Sequence, residues 1–491
     1  MNDSALKNAD SIRRPHLIQI LSDEHSGFAA SYMGNPDVQT PHLDRLAAGG
    51  AAFERAYANC PVCTPSRGTI FSGRHAHSGP VPGFFDTWKV SAPSTATVLA
   101  GVGYQTAYFG KWHCGIVNDQ IPPGVNQDPK AFHGKSNRTP EDRRAGFQDW
   151  GAFEAIGSMF DSYYYRNDAL EPTRMDGYQT DVLTDLAIER IRAHTGPEPL
   201  YLVLSVEPPH FPLQVPERFK RWDPATLTLR GNCDDTPQRR REIANYYAMI
   251  ENLDWNIGRL LDALEEREEF RGERTCIHYM SDHGELMGSH GLFCRKEYPY
   301  EEGVRIPAIF HWPGHIPPQG IRSGLFSLVD FAPTWIALGG VQPPGWMQGF
   351  DWSESLLNGQ TNGGPPEVLL EMTESPMWTP SYLNWRGFTD GKWKYAFYEN
   401  RHEELFDLEK DPFEKRNLAP GHPRLAEMKD RLLALLAATR EPFFDVIIEH
   451  GAPPPSQGHH LPPEHSDMGL PTDWTGPSYP PPPGYRGIGQ P

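Results

Sequence analysis

The chain is 491 residues long, 38% hydrophobic and 11% aromatic. That is enough apolar material for a large core, which excludes a peptide module and global disorder. Its 45 Lys and Arg stand against 63 Asp and Glu, a net charge of −18, which argues against a nucleic-acid or anionic-membrane partner engaged through the overall field.

Residues 1–16 contain no apolar run of signal-peptide length, and nowhere do 18 apolar residues run together, so a cytoplasmic protein with no membrane partner is expected. Six cysteines, Cys60, Cys63, Cys114, Cys233, Cys276 and Cys294, are too sparse for a disulfide framework and agree with a reducing compartment.

Short β-rich runs at 17–21, 105–109, 200–206 and 275–280 alternate with helical patterns, the mark of an α/β fold. Each run is followed at once by polar residues. In open parallel sheets ligands bind beyond the carboxyl ends of strands, so these four exits are where a site is expected. Ile243, Tyr247, Ile250, Leu253, Ile257, Leu260, Leu261 and Leu264 recur at spacings of three and four, predicting a helix over about 237–268. From about 378 the pattern changes to short antiparallel strands, with a turn at Asp390-Gly391, and a helix over about 424–440 follows. A catalytic α/β domain over 1–375, a small α+β domain over 376–445 and a Pro/Gly/His-rich tail over 446–491 are therefore expected. The tail cannot build a core of its own. It is expected to be disordered or laid over a neighbouring surface, and wrapping a second copy would make a homo-oligomer.

The most informative segment is Asn59-Cys60-Pro61-Val62-Cys63-Thr64-Pro65-Ser66-Arg67, which carries Cys-x-Pro-x-Arg and is followed by Ser72-Gly73-Arg74. It resembles the signature of the type I sulfatases of the alkaline phosphatase superfamily. In that family a formylglycine-generating enzyme reads the motif in the unfolded chain and oxidises the cysteine to Cα-formylglycine. Further segments at the strand exits are similar to the family's other sites, in the family's order. They are Asp23-Glu24, Gly110-Lys111-Trp112-His113, Pro208-Pro209-His210 and Asp282-His283, with Lys296 before Tyr300-Glu301-Glu302. The resemblance covers about residues 15–440.

This resemblance implies a mostly parallel mixed sheet flanked by helices, and hydrolysis of an aryl or carbohydrate sulfate monoester. Asp23, Glu24, Asp282 and His283 would bind a divalent metal together with the modified Cys63. Glu24 stands where the family more often has Asp. Carboxylates suit Ca²⁺ or Mg²⁺, and the imidazole also admits Mn²⁺, calcium being the expected ion. One hydroxyl of hydrated formylglycine would attack sulfur, and collapse of the other to the aldehyde would expel sulfate. Arg67 would hold the modified residue, Lys111 would bind sulfate oxygens, His113 would act as base, and His210 or Lys296 would protonate the leaving oxygen. Counting forward from His290-Gly291 offers Arg295 in place of Lys296.

Other readings compete. Phosphonate monoester and phosphodiester hydrolases of the same superfamily use a similar site. A non-catalytic binding protein could keep it as a ligand pocket. Cys60-x-x-Cys63 could be a redox pair, and His459, His460 and His465 of the tail could bind metal.

Overall fold

The computed structural model describes residues 14–115, 138–155, 157–373 and 384–450. Strands β1 (His16–Asp23), β2 (Ala51–Tyr57), β3 (Gln105–Lys111), β4 (Asp149–Phe153), β5 (Tyr163–Arg166), β6 (Thr173–Arg174), β7 (Leu200–Pro209), β8 (Thr275–Ser281), β9 (Arg305–Ile306), β10 (Ala308–His311) and β11 (Gly320–Ser327) form one sheet among the described residues. Its order is β11-β2-β10-β8-β1-β7-β3-β4-β5-β6, with β9 beside β2. The central run from β8 through β1, β7 and β3 to β4 is parallel, while β10 lies antiparallel to β8 and β2. The sheet is thus mixed and mostly parallel.

Alternation along β1 shows why both of its faces are covered. Leu17 and Leu21 point into a core with Ile70, Phe71, Leu99, Phe331 and Trp335. Ile18 and Ile20 point the other way, into a core with Leu43, Leu183, Leu253 and Ile257. The first face carries helices α2 (Cys63–Ser72), α3 (Thr95–Ala100) and α7 (Leu328–Leu338). The second carries α1 (Pro41–Gly49), α4 (Gln179–Arg192) and α5 (Pro237–Glu266). Helix α5 is the long helix expected from the apolar stripe. It starts at Thr236, whose side chain accepts from Arg239 N–H, with proline in the first turn. Two short helices, α6 (Glu301–Val304) and α8 (Ser353–Leu357), complete this part.

A second sheet of four antiparallel strands follows, in the order β12 (Val368–Met372), β13 (Trp385–Thr389), β14 (Trp393–Tyr398) and β15 (Glu403–Asp407). Its first strand precedes residue 376, where the sequence pattern placed the domain boundary. The alternating apolar pattern buries both faces here too. Leu369, Phe388, Tyr395 and Leu405 pack under Met428, Leu432 and Leu436 of α9 (Leu425–Thr439) and Ile447 of α10 (Phe443–His450). Leu370, Trp385 and Ala396 pack against Tyr57, Leu286 and Tyr298 of the larger part. The tail with His459, His460 and His465 lies outside the described residues, as do residues 116–137. Among the described residues no helix is long and apolar enough to cross a membrane.

Candidate active site

The parallel central strands end on one edge of the sheet and deliver their last residues together. Asp23 ends β1, Lys111 ends β3, His210 follows β7 and Asp282 follows β8. Cys63 opens α2, after Val62 in extended conformation. The backbone just before Lys111 requires glycine. Gly110 has φ +116°, and a Cβ there would come within 1.7 Å of the Ser205 carbonyl oxygen.

The Cys63 Sγ is the centre of the cluster. It lies 3.2 Å from His283 Nε2, 3.5 Å from Lys296 Nζ and 3.6 Å from Asp23 Oδ1. His283 Nδ1 lies 2.8 Å from the Gly284 carbonyl, to which it donates, so Nε2 presents its lone pair to the cluster. Arg67 reaches back from the same helix to bind Asp282 at 2.9 Å and Asp23 at 3.4 Å. It also donates to the Lys111 carbonyl and to Ser205 Oγ. Lys111 Nζ sits 2.6 Å from Asp23 Oδ2 and 3.5 Å from Glu207. Lys296 Nζ donates to Glu24 Oε1 and lies 3.4 Å from His210 Nε2, which is itself 3.1 Å from Glu24. All these side chains are buried.

Burial raises the carboxyl of Asp23, but the charges of Lys111, His210 and Arg67 outweigh it and hold Asp23 well below the usual carboxylate range. Asp282 behaves oppositely: burial and the Asp23 charge push it up to about 7, against the pull of Arg67. Two buried carboxylates, one destabilised by the other, with an imidazole lone pair and the Cys63 sulfur alongside, form a donor set that suits a divalent cation. The ligand atoms of Asp23, Cys63, Asp282 and His283 lie within 4.8 Å of one another, and those of Asp23, Glu24 and His210 form a group of three within the same distance.

A profile of the Sulfatase family matches residues 15–341 of the chain. The chain belongs to the sulfatase family. A second profile, N-sulphoglucosamine sulphohydrolase, C-terminal, matches residues 288–441 of this sulfatase. It is 28% identical to an ulvan-active sulfatase of Formosa agariphila, over 88% of this chain and 82% of that one. It is 27% identical to an N-acetylglucosamine-6-O-sulfatase of Bacteroides thetaiotaomicron, over 88% and 87%. The crystal structure of yidJ from Bacteroides fragilis superposes with a TM-score of 0.80 at 26% identity, over 90% of this chain and 99% of that one.

In this sulfatase the residues expected from the sequence meet at one place, except that His113 makes no hydrogen bond or ion pair with the others. Cys63, Arg67, Lys111, Asp23, Asp282, His283, His210 and Lys296 share the contacts given above. Glu24 is in the same cluster, with its Oε1 on Lys296 and His210. Of the two residues offered for the lysine position, Lys296 faces Cys63, whereas the Arg295 side chain turns back to the Cys294 carbonyl. His113 is buried with φ +54° against the Phe84 ring, and burial with the charges of Lys111 and Arg67 holds its imidazole well below its usual value.

Sequence reasoning missed Ser205, Glu207 and Gln179. Gln179 Nε2 donates to Glu207 Oε2 at 2.9 Å, and Glu207 backs Lys111. A polar pair inside the run LYLVLSVEPP was the available signal, since a buried Glu needs a partner. The redox reading of Cys60 and Cys63 meets an electrostatic objection. Burial pushes Cys60 up to about 12, and burial with the Asp23 charge pushes Cys63 up as well, the opposite of a redox thiol.

Proposed function

We propose that this sulfatase cleaves the sulfate monoester of a carbohydrate, using formylglycine made from Cys63 and a divalent cation. The arrangement of Cys63 Sγ against His283, Lys296 and Asp23, with Arg67 and Lys111 behind it, carries the reading. A sulfate ester is already an anion, so its charge must be offset before a nucleophile can approach. Lys111, against Asp23, and Lys296, against Cys63 and Glu24, are the side chains that would bind sulfate oxygens.

Asp23, Asp282 and His283 would hold the cation, which when bound supplies further positive charge and favours a deprotonated oxygen beside it. Formylglycine, once made from Cys63, would supply two hydroxyls on one carbon when hydrated, a nucleophile and a release route that a cysteine lacks. Arg67, fixed by Asp23, Asp282 and two further acceptors, holds that residue at the head of α2. His113 takes a proton, and His210 or Lys296 returns one to the departing oxygen. Calcium is the proposed ion, on the strength of the carboxylates, with Mg²⁺ and Mn²⁺ as its competitors. The carbohydrate class is supported by the names of the two curated relatives.

The test is mass spectrometry of the peptide bearing position 63, followed by rates on a panel of sugar sulfates, an aryl sulfate and an aryl phosphonate monoester. Formylglycine at position 63 with preferred turnover of sugar sulfates is expected. Preferred turnover of the phosphonate under metal-saturated conditions would overturn the reading.

A further inference from the structure

From Asp282 to Tyr300 the chain contains no helix or strand, only a bridge between Ser289 and Cys233. The ammonium of Lys296, placed against Cys63, Glu24 and His210, therefore sits on a segment that no ladder or helix holds. Its backbone has to be fixed by bonds from elsewhere. On the amino-terminal side these are local: Leu286 N donates to the Arg295 carbonyl at 3.0 Å, and Arg295 N to Glu285 Oε1 at 3.0 Å.

On the carboxyl-terminal side the anchors come from the second sheet. Trp385 of β13 donates its indole N–H to the Glu297 carbonyl at 2.9 Å, one residue beyond Lys296. Glu414, in the loop after β15, accepts from Glu301 N–H at 2.7 Å. Lys394 of β14 bridges Glu301 at 2.7 Å and Glu414 at 2.8 Å. Tyr300 donates to Glu404 of β15 at 3.2 Å. Trp385, Lys394, Glu414 and Glu301 are all at least 95% buried. In a water-excluded setting such bonds hold their geometry firmly, and losing one partner leaves the other unsatisfied.

We infer that Trp385, Lys394 and Glu414 are positioning residues: the second sheet sets the place of Lys296 in the active site. The inference rests on the proposed role of Lys296 in turnover. None of the three touches the Cys63 cluster. Their effect passes through residues 297–301, and a shift of the loop by about 1 Å is enough to cost on the order of 100-fold in rate.

The experiment compares Trp385→Phe, Lys394→Met, Lys394→Arg and Lys296→Met in the mature, metal-loaded enzyme. It measures kcat and KM on a sugar sulfate and on 4-nitrophenyl sulfate, with thermal melting to establish folding. Trp385→Phe keeps the ring and loses only the N–H, so it serves even where Lys394→Met fails to fold. Both variants are expected to lower kcat on the sugar sulfate by about tenfold or more, with KM changed far less. The loss should be smaller on 4-nitrophenyl sulfate, whose leaving group needs less help from a proton. Lys394→Arg should recover part of the loss. Unchanged kcat in folded Trp385→Phe and Lys394→Met, beside a crippled Lys296→Met, would overturn the positioning inference alone. Full turnover by Lys296→Met would instead overturn the role proposed for Lys296, and the inference with it.

Discussion

Cys63 is held by burial and by the Asp23 charge as a protonated thiol, which makes the unmodified side chain a weak nucleophile at neutral pH. Cys63→Ala is expected to lower turnover of the sugar sulfate by at least about 10⁴-fold, the scale of losing a nucleophile, with little change in melting temperature. Asp282→Asn should act differently. It keeps the shape and removes one charge from the proposed donor set of the cation, so bound metal measured by elemental analysis should fall, with affinity weakened by at least about tenfold. The same residues show what a sequence can and cannot disclose. Asp23, Lys111, His210 and Asp282 were legible because each follows an apolar run, and a parallel sheet sends such residues to one edge. In the sequence only the count back from Tyr300-Glu301-Glu302 favours Lys296 over Arg295, because their segment has no period to set the register. The contacts of each side chain decide between them. Glu207 was hidden inside a strand, where its role depends on a lysine 96 residues upstream in the chain.

At the scale of elements, β3 and β7 approach so closely at Gly110 that a side chain has no room. Gly110→Ala would need both a strained positive φ and a displaced Ser205 carbonyl. A loss of about 3 kcal/mol or more in unfolding free energy is expected from chemical denaturation. Arg67 would suffer with it, since Arg67 bonds both Ser205 and the Lys111 carbonyl. The main elements were readable from periodicity: α5 follows the apolar stripe from Ile243 to Leu264, and the apolar stripe of α9 covers the second sheet. The start of that sheet was not readable in the same way. Strand β12 is separated from β13 by a dozen residues, and its pairing with the later strands is a long-range choice that no local pattern records.

For the whole molecule, the junction between the two sheets carries a second buried ionic group. His77 Nδ1 lies 2.7 Å from Glu371 Oε2, Ala76 N–H donates to Glu371 Oε1, and Arg386 pairs with Glu441. Burial alone would raise Glu371, but bonding and attraction to His77 bring it from 4.5 to about 2. Its contribution is thus complete above about pH 4.5 and is lost as the pH falls towards 2. His77 is raised above 6.5 by the same partner, against its own burial. Its contribution is complete below 6.5 and is lost as the pH rises through the elevated value. Melting followed against pH should therefore show this junction at its firmest between about 4.5 and 6.5. Glu371→Gln should flatten both limbs of that profile.

The head of α2 has a consequence for how the protein is made. Cys63 has no exposed surface, and Arg67 is clamped between two carboxylates. Under the proposed formylglycine route, a catalyst that had to reach both residues in an extended stretch of chain would find neither accessible once folding is complete. On that proposal the time for conversion is the interval between synthesis and collapse. Chains made in a host without such a catalyst would then keep their sulfur, and adding the catalyst afterwards to the native protein would not recover them.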